Sequence, residues 1–270
     1  NNIFGSTAGW SITTGNQNNI FGRQAGYTLT TGAHNNIMGT WAAQNGNMTG
    51  DGYNNIFGFK AGWKITTGQY NNLIGNEAGH GITTGSNNNI MGDHAGYLIE
   101  TGTYNNIFGY YAGYNITTGK YNNIMGYQAA YNGTMTGDGY NNIFGYKAGF
   151  DITTGVDNNI MGQMAGNKIS TGSYNNIMGY YAGNEITTGN GYNNIFGYKT
   201  AAKITTGTHN NIFGEEAGFK ITTGSYNNIM GKYAAQGAIM TGDGHNNIMG
   251  YYAANKLTSG QNNNILGKQA

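Results

Sequence analysis

Hydrophobic positions recur along this chain at a fixed spacing. The pair Asn-Asn followed by Ile, once by Leu73, opens a unit of 17 to 19 residues, and sixteen such units account for the 270 residues. Units of ordinary length carry apolar residues at positions 3, 4, 8 and 12, with Thr200 at position 8 as the one exception, and Gly stands at position 5 in every copy. Self-similarity of this kind indicates a repeat architecture. The units begin at residues 1, 18, 35, 54, 71, 88, 105, 122, 141, 158, 175, 193, 210, 227, 246 and 263.

The repeat predicts an all-β fold, a parallel β-solenoid or β-roll of about sixteen coils with 17 to 19 residues per coil. Helical hairpin repeats need roughly 33 residues, and each Gly costs about 1 kcal/mol inside a helix. We expect two short strands per coil, Asn-Asn-Ile-Phe-Gly and x-Ile-Thr-Thr, each closed by a glycine turn. Residues 1–270 then form a single continuous array. The absence of polar caps indicates a segment of a longer fibre or ends that join.

Stacked coils align equivalent residues in columns, and each column has an expected place. Ile at position 3, Ala at position 8 and Ile at position 12 suit a narrow core. Asn at positions 1 and 2 can form amide ladders from coil to coil. Units 35–53, 122–140 and 227–245 are longer and replace Ile-Thr-Thr-Gly by Met-Thr-Gly-Asp-Gly. We interpret these three segments as protruding loops on one edge.

The apolar residue at position 4 is expected to point away from the core, since successive strand residues face opposite sides. A continuous exposed apolar strip is unusual for a soluble monomer, so we expect sister chains to cover it. The alternative is a wider coil that encloses both apolar columns within one chain. The predicted self-association column is Phe4, Phe21, Met38, Phe57, Ile74, Met91, Phe108, Met125, Phe144, Met161, Met178, Phe196, Phe213, Met230, Met249 and Leu266.

Aromatic residues at position 10 form a second candidate surface. Rows of this kind can stack on surface glycans or on another fibre, or they can pack laterally between coils. The Thr-Thr segments leave an ice-binding solenoid as a further, weaker interpretation. The candidate recognition residues are Trp10, Tyr27, Trp63, Tyr97, Tyr114, Tyr131, Phe150 and Phe219.

Composition removes most other classes of function. A net charge of +1 with 9% charged residues does not attract nucleic acid or an anionic membrane. No apolar run is long enough to span a bilayer, and the lack of Cys removes disulfides and thiol chemistry. The acids and the five His are scattered, so we expect no enzyme, no catalytic residues, no cofactor and no metal. A calcium site at the Asp-Gly loops stays open as an alternative.

Units such as Asn54-Asn-Ile-Phe-Gly-Phe-Lys-Ala-Gly62, followed by Ile-Thr-Thr-Gly, have a known counterpart. The array resembles the head repeats of trimeric autotransporter adhesins and related repeats in phage tail-fibre-like proteins, and the resemblance covers the whole chain. It implies a left-handed β-roll that trimerises or forms filaments, on an extracellular fibre, a cell surface or a virion tail fibre, often with an adhesive role. It carries over no catalytic residues.

Overall fold

The computed structural model describes residues 1–187 and 191–270, and this part of the chain contains strands and turns but no helix. The chain forms two compact units, Asn1–Gly139 and Tyr140–Ala270. The first unit holds β1 Asn2–Phe4, β2 Asn19–Phe21, β3 Asn36–Met38, β4 Asn55–Phe57, β5 Asn72–Ile74, β6 Asn89–Met91, β7 Asn106–Phe108 and β8 Asn123–Met125. The second unit holds β9 Asn142–Phe144, β10 Asn159–Met161, β11 Asn176–Met178, β12 Asn194–Phe196, β13 Asn211–Phe213, β14 Asn228–Met230, β15 Asn247–Met249 and β16 Asn264–Leu266.

Within each unit the strands form one parallel sheet in chain order. Every strand pairs with the strand of the next coil, with equivalent positions aligned, as in Ile90 opposite Ile107 in the first unit and Ile160 opposite Ile177 in the second. Parallel pairing between successive turns of a repeating chain is the defining feature of a β-solenoid. The predicted fold class is therefore confirmed.

Each coil consists of a short strand followed by two tight turns, as the coil that begins at Asn88 illustrates. Strand β6 ends at Met91, and the first turn closes with a 3.3 Å hydrogen bond from the Ala95 N–H to the Gly92 carbonyl. The second turn, four residues further along, closes in the same way at 3.2 Å. The two turns reverse the chain, which lets the next strand begin beside the previous one.

The predicted second strand over x-Ile-Thr-Thr is wrong. In the described coils this segment forms bends and not a strand. The N–H groups of Thr66, Thr67 and Gly68 all donate to the carbonyl of Thr83, at 2.9 to 3.3 Å. Three consecutive donors that converge on one acceptor require a curled chain, whereas a ladder needs an extended one. In the coil that begins at Asn175, the end of this segment falls in residues 188–190, outside the described residues.

The three apolar columns expected in the interior are confirmed. Ile90, Ala95 and Ile99, at positions 3, 8 and 12 of one coil, are at most 1% exposed. Thr200 is the one exception to Ala at position 8; it is also buried, and its hydroxyl donates to the Gly214 carbonyl. A small residue is needed at this position because the strand and the turn approach each other closely.

The Asn at position 1 forms a buried amide ladder, as predicted. The Asn88 amide nitrogen donates to Oδ1 of Asn71 at 3.1 Å and to the Gly102 carbonyl at 2.8 Å. Its Oδ1 accepts from the N–H and the side-chain amide of Asn105, at 3.0 and 3.1 Å. Every hydrogen-bonding group of this side chain is satisfied, which is what allows a fully buried polar residue.

The three longer units insert an exposed turn at an equivalent place in the coil. Met48, Met135 and Met240 are 2% exposed, so a methionine fills the core beneath each turn. The Thr-Gly-Asp residues that follow are exposed or half-exposed. Each turn returns through a parallel bridge to the preceding coil: Ala33 to Asp51, Lys120 to Asp138 and Ser225 to Asp243.

Candidate functional site

The strands present a regular surface on the side opposite to the buried Ile column. In β6, Ile90 is 1% exposed, whereas Met91 is 45% exposed and Asn89 is half-buried. This alternation is the period of two expected of a strand. The term outer face is used below for Asn at position 2 together with the apolar residue at position 4 of each coil.

The predicted self-association column lies on the outer face in both units. Its Met, Ile and Leu members are all exposed, as is Phe4, while the remaining Phe side chains are half-buried. Neighbouring phenyl rings cover each other, as in Phe196 and Phe213, whose ring centroids are 5.0 Å apart. The alternative of a wider coil that encloses this column is therefore wrong, since turns of four residues leave room for only one interior.

Asn at position 2 forms a second amide ladder along the outer face, also as predicted. Asn72 donates to Oδ1 of Asn89 at 2.7 Å, and Asn89 donates to Oδ1 of Asn106 at 2.8 Å. Each link uses one of the two amide hydrogens and one of the two oxygen lone pairs. At Asn89 this leaves one amide hydrogen and one oxygen lone pair outside the ladder.

The outer face contains no ionisable side chain, since positions 2 and 4 are Asn, Phe, Met, Ile or Leu throughout the sequence. Charged side chains lie elsewhere in the coil, as in the ion pair between Lys232 and Glu215 at 2.8 Å. The hydrogen bond from Lys232 lowers the pKa of the Glu215 carboxyl. An uncharged face can meet a copy of itself without like-charge repulsion.

A column of stacked rings, which sequence reasoning did not single out as a site, lies at the last position of the coil. In the second unit Tyr174, Tyr192, His209, Tyr226 and His245 form a continuous stack with centroids 4.7 to 5.0 Å apart. The available signal was the recurrence of Tyr or His at this position. The end-of-coil column comprises His34, Tyr53, Tyr70, Tyr104, Tyr121, Tyr140, Tyr174, Tyr192, His209, Tyr226 and His245.

The candidate recognition residues at position 10 are mostly half-buried, and Trp10 is the exposed member. Tyr97, Tyr114 and Tyr131 stack in series with centroids 5.0 and 5.3 Å apart. Burial raises the pKa of the Tyr97 and Tyr114 phenols. The faces of Tyr97 and Tyr114 that would stack on a sugar are occupied by neighbouring rings, which favours the lateral-packing interpretation for this part of the row.

One charged cluster lies beside this row. Nε2 of His94 is 3.1 Å from a Glu77 oxygen, and Nδ1 contacts the Asp93 carboxylate. Lys60 lies 3.7 Å from the same Glu77. Within residues 1–187 and 191–270, no group of three His, Cys, Asp or Glu side chains is placed to hold a metal ion.

Two of the three Asp-Gly loops place a carboxylate beside a side-chain nitrogen of the preceding coil. Oδ1 of Asp51 is 3.3 Å from Nδ1 of His34, and Oδ1 of Asp138 is 3.4 Å from Nζ of Lys120. Calcium sites use six to eight oxygen ligands, and these carboxylates have nitrogen neighbours instead.

Several hydroxyls of the Thr-Thr segments already donate hydrogen bonds to backbone carbonyls. Thr66 and Thr83 each donate a hydroxyl hydrogen bond to the next coil, at 3.0 and 3.1 Å. Hydroxyls engaged with the backbone in this way are not free to order a water layer. This observation weakens the ice-binding interpretation.

A cleft of about 660 Å³ lies at the last coil, lined by Tyr252, Ala254, Leu257 and Ile265 among others. Its lining also includes the polar side chains of Asn255, Lys256 and Gln269, and contains no acidic residue or histidine. Among the described residues, no helix is long and apolar enough to cross a membrane.

Comparisons of the chain with protein-family models, with curated proteins and with solved structures give no match. The resemblance to adhesin and tail-fibre repeats therefore stays a prediction.

Proposed function

We propose that this protein is a non-enzymatic structural protein that assembles through its outer face into a homotrimer or a filament. The observation that carries the proposal is the unbroken apolar column at position 4, which lies outside each coil. The extracellular location, on a fibre, a cell surface or a virion tail, rests on the resemblance of the repeat alone.

The energetics favour association over many coils at once. Covering the exposed half of a Phe or Met side chain is worth about 1 kcal/mol, whereas association costs about 4–15 kcal/mol before any contact is rewarded. The free energy gained by covering a few coils is therefore too small to offset the cost of association. The gain from eight coils on each of two chains exceeds that cost. This arithmetic supplies a physical reason for a long array.

The repeat favours a second copy of this chain as the partner. Parallel coils are spaced at about 4.8 Å, and only a partner with the same spacing stays in step over many coils. A copy of the outer face meets that requirement. A sugar polymer has no reason to share this repeat, and at position 10 the faces of Tyr97 and Tyr114 are already covered by neighbouring rings.

The proposal is tested by the assembled mass of a double variant, Met91→Thr with Met125→Thr, measured by light scattering over a concentration series. These residues lie on the outer face and make no core contact, so folding should be unaffected. The double variant should lose about 2–4 kcal/mol of association free energy, which makes association roughly 30- to 1000-fold weaker.

The matched control is Leu98→Thr with Ile239→Thr. Leu98 is 39% and Ile239 52% exposed, close to 45% and 47% for Met91 and Met125, but both lie off the outer face. The control should associate as the wild type does. Equal weakening in both variants, or wild-type protein that stays monomeric, would refute the proposal.

A further inference from the structure

The end-of-coil column holds tyrosines of adjacent coils in contact at the surface. The rings of Tyr53 and Tyr70 have centroids 5.2 Å apart and are parallel to within 1°. Tyr104 and Tyr121 are arranged in the same way, at 5.1 Å and 6°. We propose that end-of-coil tyrosine pairs stacked in this way are modification sites at which a haem peroxidase, using hydrogen peroxide, joins adjacent coils covalently as dityrosine.

Both pairs are accessible to a bulky oxidant. The four side chains are 36 to 53% exposed, so a radical can be transferred to each phenol without unfolding of the coil. Such an enzyme would therefore act first on exposed tyrosines of the end-of-coil column.

The pairing follows from the backbone and not from a chance rotamer. All four residues adopt the left-handed conformation, with φ between 48 and 57°. The Tyr70 N–H donates to the Gly52 carbonyl at 2.8 Å, and the Tyr121 N–H donates to the Thr103 carbonyl at 3.1 Å. These bonds fix each tyrosine directly above its counterpart in the preceding coil.

The chemistry balances with peroxide as the oxidant. Each phenol loses one electron and one proton and becomes a tyrosyl radical with spin density at the carbons ortho to the oxygen. Two such carbons form a carbon–carbon bond, the ring hydrogens at those carbons move to the oxygens, and two phenols are restored. In sum, two tyrosines and one hydrogen peroxide give one dityrosine and two waters. Holding the two rings in contact favours coupling over diffusion-limited side reactions.

The row at position 10 offers an internal comparison at the same ring distance. Tyr97 and Tyr114 stack at 5.0 Å and 4°, but both are half-buried. Their burial raises the pKa of each phenol, which makes loss of the phenolic proton harder. We therefore expect the end-of-coil pairs to couple before this pair.

The experiment treats the purified protein with a haem peroxidase and limiting hydrogen peroxide, then maps cross-linked peptides by mass spectrometry after double digestion. A mixture of unlabelled and nitrogen-15-labelled chains distinguishes links within one chain from links between chains. We expect cross-links Tyr53–Tyr70 and Tyr104–Tyr121, and also Tyr174–Tyr192, whose rings stack at 4.8 Å with both side chains exposed. Each cross-linked product should be two hydrogens lighter than the separate peptides and free of mixed isotope labels. The cross-linked chain should also unfold at a higher temperature, because each link closes a loop of 17 residues.

The variants Tyr70→Phe and Tyr121→Phe keep the stacked ring and remove the phenol. Each should abolish its own cross-link and leave the others in place, whereas Tyr114→Phe should change none of them. Cross-links scattered over all tyrosines, cross-links dominated by Tyr97–Tyr114, or end-of-coil links that carry mixed isotope labels would overturn the inference. This outcome is independent of the proposed self-association, which does not involve the phenols.

Discussion

Glycine is required at position 5 of the coil for two reasons. At Gly92 the backbone has φ of +140°, and a Cβ atom added there would lie 2.5 Å from the Gly109 carbonyl oxygen. The first constraint is conformational, because side-chain-bearing residues avoid this region. The second is steric, because the coils approach each other through this carbonyl.

Gly92→Ala should therefore cost about 2–6 kcal/mol, the sum of backbone strain and overpacking. Gly50→Ala is the control, since φ there is +72° but nothing lies within 4 Å of the added atom. We expect about 1 kcal/mol for the control. Chemical denaturation of both variants measures the difference, and equal costs would show that the close approach of the coils is unimportant.

Left-handed residues other than glycine are a regular feature of this coil. Position 7 and the last position of the coil have φ between about 43 and 62°, in residues as bulky as Trp41 and Tyr192. Each costs about 1–2 kcal/mol relative to ordinary backbone. The ladders and stacked rings that surround these positions offset that cost.

His80 makes the first unit sensitive to acid. It stacks between Trp63 and Tyr97, at centroid distances of 5.9 and 4.6 Å. Burial lowers the pKa of His80 below its ordinary value of 6.5. The unfolded chain therefore binds a proton at a higher pH than the folded chain does, so stability falls as the pH drops below 6.5 toward the lowered value.

The variant His80→Tyr keeps the stacked ring and removes the titrating group. Its free energy of unfolding should fall less than that of the wild type between pH 7 and pH 5, as measured by denaturant titration at each pH. An identical loss in both proteins would show that His80 does not account for acid sensitivity.

At the scale of the coil, the two Asn columns differ in burial although they are neighbours in sequence. Asn88 is fully buried and makes four hydrogen bonds, whereas Asn89 is half-buried on the outer face. The inner ladder therefore stabilises the fold, whereas Asn89 in the outer ladder keeps one amide hydrogen and one oxygen lone pair outside the ladder bonds. This contrast permits a matched pair of substitutions.

Asn88→Asp should destabilise the protein by about 3–5 kcal/mol, because an uncompensated carboxylate would replace the amide that donates to two buried oxygens. Asn89→Asp should cost about 1 kcal/mol, since solvent reaches the group. Thermal unfolding of both variants compares them directly. A larger cost for the outer substitution would contradict the roles assigned to the ladders.

Much of the coil could be predicted because the repeat samples each position fifteen or sixteen times. Nearly constant Ile and Ala columns and the constant Asn columns indicated the core and the ladders, and alternation placed Phe and Met outside. The second strand was not predicted correctly, because Ile-Thr-Thr resembles a strand in composition while its three amides converge on one carbonyl. The end-of-coil stacks were missed because Tyr and His at a variable position do not show whether their rings touch.

Across the whole molecule, the proposed assembly requires that copies of this chain cover the outer face. The methionines test it within one protein. Seven lie in the self-association column, while Met48, Met135 and Met240 lie in the core at 2% exposure. Oxidation of exposed thioethers to sulfoxide is readily followed by mass spectrometry.

The most direct measurement is the rate of oxidation of each methionine by dilute peroxide as the protein concentration is raised. If copies associate through the outer face, the seven column methionines should oxidise quickly in dilute protein. They should become protected from oxidation as the mass measured by light scattering increases. The three core methionines should react slowly at every concentration. Column methionines that stay equally reactive while the protein assembles would contradict the account, since the contact would then lie on another surface.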